Sequence, residues 1–195
     1  MVAKGLDFED VTLVGVLGID SLLFAQGFRA YETVFSLVTQ VVGRSGRAKD
    51  PGFAIIQTTD PDNPVLNLAA AQDYDAFFEQ EIAYRKLGLY PPFCGLCVVG
   101  FAGPKESEVA RASARFAALL GRQAAKQPEL PLRVLGPTPG NIEKINENYR
   151  YKLTVKCRND RRFRDLMRET LGLYEQEKLP AKATVVVDLH SDGDI

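Results

Sequence analysis

Five residues of one octapeptide, QVVGRSGR at 40–47, are of types and spacing suited to chemistry: Gln40, Gly43, Arg44, Gly46 and Arg47. Enzymes that transfer a phosphoryl group set a cation against the charge that develops on the γ-phosphate. A guanidinium suits this task because its planar fork meets two phosphate oxygens at once. Gly43 and Gly46 let the backbone approach such a ligand closely and turn sharply between the two arginines. Gln40 precedes Arg44 by one helical turn, so both can face one cleft. A plainer reading competes, since glycine ends helices and arginine near a helix C-terminus complements its dipole. Residue types alone leave the two readings even.

A second set of residues is electrostatic in character. Between 150 and 168 lie eight basic residues against two acidic ones. Within it, Tyr149, Tyr151, Leu153, Val155 and Cys157 alternate with Arg150, Lys152, Thr154, Lys156 and Arg158. A strand with this period places four cations on one face. Like charges aligned on a sheet face repel unless an anion answers them, which points to nucleic acid. Lysines that merely guard an exposed strand against edge pairing are the alternative. The adjoining Arg161, Arg162 and Arg164 open a helix whose core side is Phe163, Leu166, Met167 and Leu171. They either extend the basic strand or form a solvated face. Cys94 and Cys97 make a CxxC, but no second pair and no nearby histidine accompany it, so core cysteines are expected and no metal site. His190, the single histidine, is expected to be solvated.

The elements that must position these groups can be read from periodicity. The run 11–17 is apolar and β-branched, as in a strand buried on both faces of a parallel sheet. A helix over 30–42 follows from Val34, Leu37, Val38 and Val41, and a second strand is predicted at 53–58. One βαβ unit of this size cannot cover both faces of a parallel sheet, so it reads as a piece of a larger domain. A helix over 64–87 ends at Tyr90-Pro91-Pro92, where consecutive prolines forbid its continuation. Beyond lies strand 93–101, helix 105–126, strand 132–135, a Gly-Pro-Thr-Pro-Gly turn at 136–140, strand 149–157, helix 160–177 and strand 183–189. That order predicts a small split βαβ sandwich.

Composition sets the outer bounds. The chain has 195 residues, 46% hydrophobic and 25% charged, with a formal net charge of −1. The charge is uneven: residues 1–88 hold 7 basic against 12 acidic residues, and 89–195 hold 17 against 13. No run is long and apolar enough for a membrane span, the N-terminus has no signal-peptide pattern, and three cysteines are too few for a disulfide framework. A cytoplasmic location without membrane contact is therefore expected.

QVVGRSGR also resembles motif VI (QxxGRxGR) of superfamily 2 helicases, and residues 1–17 resemble motif V and the strand after it. An ordered series is similar more specifically to the primosomal protein N′ (PriA) family of bacterial replication-restart helicases. The series comprises Met1-Val2-Ala3-Lys4-Gly5, Asp7-Phe8, Phe28-Arg29-Ala30-Tyr31-Glu32, Ile56-Gln57-Thr58, Ala71-Gln72-Asp73-Tyr74, Tyr90-Pro91-Pro92-Phe93 and Val134-Leu135-Gly136-Pro137. The departures are local. Gly18-Ile19-Asp20 keeps one of two frequent acidic residues, and Asn148-Tyr149-Arg150-Tyr151 replaces Arg-Trp-Arg-Trp. Asp188 retains only the first aspartate of a usual Asp-x-Asp-Pro.

The resemblance implies the α/β end of a P-loop-type helicase lobe over 1–70, a connecting helix over 71–90, and a C-terminal DNA- and partner-binding α+β domain over 91–195. It implies that Arg44 and Arg47 sense the γ-phosphate, that Gln40 couples ATP to DNA, and that Lys4 and Asp7, with Gly43, belong to the nucleotide site. ATP and Mg²⁺ would serve the longer protein, as would zinc held by upstream cysteines. No GxxxxGK[ST] loop occurs in these residues, so the chain by itself is expected to be inactive as an ATPase. Implied partners are branched or single-stranded DNA, primosome proteins and single-strand-binding protein. A non-catalytic nucleic-acid-binding module on a helicase-like scaffold is the alternative.

Overall fold

The computed structural model describes residues 12–25, 27–43, 53–177 and 183–191. They form two compact units, divided between Tyr84 and Arg85.

In the first unit, β1 (Leu13–Val16) and β2 (Phe53–Ile56) pair in parallel, Leu13 opposite Phe53 and Val16 opposite Ile56. Between them in sequence come α1 (Asp20–Leu23) and α2 (Ala30–Val42). Helix α2 buries Val34, Phe35, Val38 and Val41 in a core shared with Val16, Ile19 and Leu23. Its helical spacing is the reason: these positions fall on one stripe. The carboxylate of Asp20, the first residue of α1, accepts hydrogen bonds from the Thr58 hydroxyl at 2.6 Å and from the Thr59 amide at 2.8 Å and hydroxyl at 2.7 Å. These bonds, Thr58's foremost, hold its pKa below the usual carboxylate range. Asp20 thus ties the exits of both strands together.

The helix expected over 64–87 is two helices, α3 (Pro64–Ala70) and α4 (Tyr74–Gly88). Local capping chemistry breaks it. Asn63 caps α3 by accepting from the Val65 amide at 3.1 Å, Gln72 adopts a left-handed φ of 55°, and Asp73 accepts from the Ala76 amide at 3.0 Å. Phe77 of α4 stacks on Phe35 of α2 with ring centroids 4.1 Å apart.

The two-stranded sheet leaves Leu13, Phe53 and Ile55 exposed on its other side. So small a sheet, uncovered on one face, opens easily. Amides of 13–16 and 53–56 are therefore expected to exchange hydrogen faster than those of 96–101 and 150–157, as mass spectrometry of the intact chain can measure. Equal protection in the two regions would overturn this expectation.

The second unit is a four-stranded antiparallel sheet, in the order β4–β5–β3–β6. Its elements are β3 (Gly95–Gly103), α5 (Glu106–Ala124), β4 (Leu132–Ile145), β5 (Asn148–Cys157), α6 (Arg161–Gln176) and β6 (Thr184–Asp188). Since β5 is antiparallel to both neighbours, β3 and β4 run parallel with β5 inserted between them, which is a split βαβ arrangement. Helices α5 and α6 cover one face. Phe116, Leu120, Phe163 and Leu166 meet Val99, Phe101, Leu153 and Val155 in one core.

The turn expected at 136–140 is instead part of β4. The strand carries two register irregularities there, and Gly136 has φ 96° with Lys152 O only 3.0 Å from where a Cβ would sit. Prolines at 137 and 139 are tolerated because β4 is an edge strand.

Candidate nucleic-acid interface

Strand β5 divides its side chains as alternation requires. Tyr149, Tyr151, Leu153, Val155 and Cys157 join or pack on the helix-side core, so the two tyrosines are not free rings on the charged face. Arg150, Lys152, Thr154 and Lys156 take the other face, and Arg158 lies just past the end of the strand. Helix α6 packs on the helix-side core through Phe163, Leu166 and Met167, so Arg161, Arg162 and Arg164 form an exposed helix face and do not extend the basic strand face. Arg161 and Arg168 instead pair with Asp165, at 3.7 and 2.7 Å, and Arg164 donates to Asn159 O at 3.1 Å.

The four cations are not equivalent. Arg150 is half-buried, and its side chain makes no hydrogen bond or ion pair among the described residues. Lys152 is half-buried and donates to Asn141 Oδ1 at 2.5 Å. Arg158 is exposed, with Asp160 at 3.9 Å. Lys156 differs altogether: it is 9% exposed, donates to Gly88 O at 2.5 Å, and sits 3.7 Å from the centroid of the Tyr90 ring. Gly88 allows this close packing, since a Cβ there would lie 2.6 Å from the Tyr90 ring. Burial is the main force holding the Lys156 pKa below the usual lysine range; the Cys94 thiol opposes that shift and Arg133 reinforces it. Lys156 therefore drops out as a surface phosphate contact, because its ammonium is already engaged by a carbonyl and an aromatic face.

Of the nucleotide-site candidates, Gln40 and Gly43 are described. Gln40 lies on the exposed side of α2. Gly43 ends α2 as expected, donating to Thr39 O at 3.0 Å, but with φ −68° and ψ −9°. This is not the left-handed glycine stop, so the backbone does not need glycine there. Lys4, Asp7, Arg44 and Arg47 lie outside the described residues.

Cys97 and Cys157 are core residues, with burial pushing each thiol up to about 12. Cys94 departs from expectation: it precedes β3, is half-buried, and donates to Leu89 O at 2.9 Å. His190 is exposed, with Nε2 3.3 Å from the Asn159 amide, and its backbone amide donates to Asp188 at 3.0 Å. Among the described residues no cluster of three His, Cys, Asp or Glu could hold a metal ion. No described helix is long and apolar enough to cross a membrane.

Fold and charge together define the second unit as a small α+β module of split βαβ type with a cationic central strand. Residues 86–191 match the family model described as the primosomal protein N C-terminal domain, and the chain belongs to that family. Similar curated proteins are the replication restart proteins PriA of Bacillus subtilis (34% identical over 97% of this chain), of Synechocystis (39% over 80%) and of Chlamydia pneumoniae (41% over 80%). The matched regions make up 23%, 18% and 20% of those proteins respectively, so this chain spans under a quarter of their length. Among solved structures, a hydantoinase/carbamoylase family amidase from Burkholderia ambifaria overlaps 49% of this chain and 26% of its own at a TM-score of 0.35 and 14% identity, too loose a superposition to carry an argument.

Proposed function

We propose that this chain is part of an ATP-dependent 3′→5′ DNA helicase that recognises stalled or branched replication forks and starts primosome assembly for replication restart. On this reading residues 1–70 belong to the second helicase lobe, 71–90 connect, and 91–195 contact DNA and partners such as single-strand-binding protein and primosome proteins. ATP and Mg²⁺ would bind with the help of Arg44, Arg47 and Gln40, with Gly43, Lys4 and Asp7 near the nucleotide. The family resemblance assigns zinc to cysteines of the longer protein. The location that fits this work is the cytoplasm.

The observation that carries the DNA-contact reading is Arg150, whose side chain has no hydrogen-bond or ion-pair partner among the described residues, beside Lys152 on the second face of β5, with exposed Arg158 just past the strand's end. Phosphates are the anion that such a row would meet in a replication restart protein. Each phosphate contact releases condensed counterions, so affinity falls as salt rises, by about 0.7 to 0.9 log units per decade for each contact.

Three contacts predict a slope of roughly −2 to −3 in a plot of log affinity against log salt. The measurement is fluorescence anisotropy of the 195-residue chain on a forked oligonucleotide. Changing Arg150, Lys152 and Arg158 together to glutamine is expected to weaken binding and flatten that slope. An unchanged slope in the triple variant would rule the surface out.

A further inference from the structure

Where β5 runs out, a cleft of about 770 Å³ opens between the Leu89–Gly95 segment, the start of β4 and residues 156–159. Its volume is in the range of small-ligand sites. Its walls combine two chemistries that seldom meet by accident. Its lining includes the apolar Pro92 and the ring of Phe93, which is 43% exposed. It also includes three cations, Arg133, Lys156 and Arg158. No carboxylate lines the cleft.

The three cations differ in how far they are engaged. Lys156 is tied to Gly88 O, so it contributes field more than contact. Arg133 is exposed, and its side chain has no hydrogen bond or ion pair among the described residues. Arg158 has only the distant carboxylate of Asp160. Two guanidinium forks beside an aromatic face match a ligand that carries both a phosphate and a planar ring.

We infer that this cleft seats one unpaired nucleotide of a bound strand, its base against Phe93 and Pro92 and its phosphate between Arg133 and Arg158. The inference rests on the reading of β5 as a nucleic-acid track. Arg158, the residue that follows the end of β5, lines the cleft, so a nucleic-acid strand that runs along β5 past Arg150 and Lys152 for about 20 Å arrives at the cleft. An acidic peptide would satisfy the cations, but nothing in the cleft would select it over a base for the ring face. Duplex DNA keeps its bases stacked inside and cannot present one here without unpairing.

Cys94 supplies the readout. It lines the cleft and is half-buried, while Cys97 and Cys157 are buried. The rate of Cys94 alkylation by a maleimide, in the 195-residue chain, therefore reports occupancy. A saturating short oligothymidylate is expected to slow labelling several-fold, and a blunt duplex of equal length is expected to give little protection.

Phe93→Ala and Arg133→Gln change exposed side chains and are each expected to weaken oligothymidylate binding about fivefold or more, the low end of what loss of one base-stacking platform costs. Both are also expected to abolish the protection. Unprotected Cys94 with oligonucleotide still bound in a manner that depends on Arg150 and Lys152 would overturn the cleft and leave the strand track standing. No binding at all would overturn both. Equal protection by blunt duplex, or protection by an acidic peptide and not by oligothymidylate, would overturn the nucleotide assignment.

Discussion

Arg44→Lys or Arg47→Lys, made in the full-length helicase that we propose contains this chain, is expected to cut DNA-stimulated ATP turnover by roughly 10²-fold or more. Arginines that reach a transferring phosphoryl group are worth about 10³ to 10⁵ in related enzymes. Lysine keeps the charge but loses the planar fork, so it cannot reproduce bidentate contact with phosphate oxygens. If the two arginines only complemented a helix dipole, lysine would serve equally well. The geometry at Gly43 bears on this choice. Its φ of −68° is open to any residue, so a left-handed helix stop does not explain the glycine. A Cβ there would lie 3.3 Å from Thr39 O, which is tight but not prohibitive. Steady-state ATP hydrolysis with saturating DNA checks the prediction, and DNA affinity without nucleotide is expected to stay near the parent value. Near-normal turnover in both lysine variants would return the octapeptide to a structural role.

Lys156→Glu is expected to destabilise the second unit by about 3 kcal/mol, the low end of the cost of leaving a buried charge without its partner. The substitution removes a charged donor from Gly88 O and a cation from the face of Tyr90. It also sets a carboxylate where a carbonyl oxygen and the electron-rich ring face both repel it. Arg150→Glu, on the same face of the same strand but without a partner to lose, is expected to cost far less stability and far more DNA affinity. Urea unfolding alongside anisotropy separates the two roles. Equal loss of stability in both variants would mean that Lys156 is not the special member of the row.

Much of the architecture was legible in the residues. Val34, Leu37, Val38 and Val41 at helical spacing predict α2, and the strict alternation from Tyr149 to Arg158 predicts both β5 and its two faces. These are local rules, because the period of a helix or strand determines which side chains share a side. The break at Gln72 was less visible, because Ala71-Gln72-Asp73 interrupts an otherwise continuous helical composition by a single left-handed residue. The passage of β4 through Pro137 and Pro139 was not legible, since a proline's acceptability depends on whether its strand lies at a sheet edge.

Tertiary structure alone decided which cations remain available. Alternation predicts Arg150, Lys152, Lys156 and Arg158 on one face; the first three fall within β5, and Arg158 lies just beyond its end. What removes Lys156 from the set is the Gly88–Tyr90 segment, some 68 residues away in sequence, whose carbonyl and ring close over the end of the strand. The same fold brings Phe93, Arg133 and Arg158 to one cleft from three separate segments. Periodicity assigns a side chain to a face, but its burial and its partners are set by long-range packing, and no local pattern encodes which distant segment will cover it.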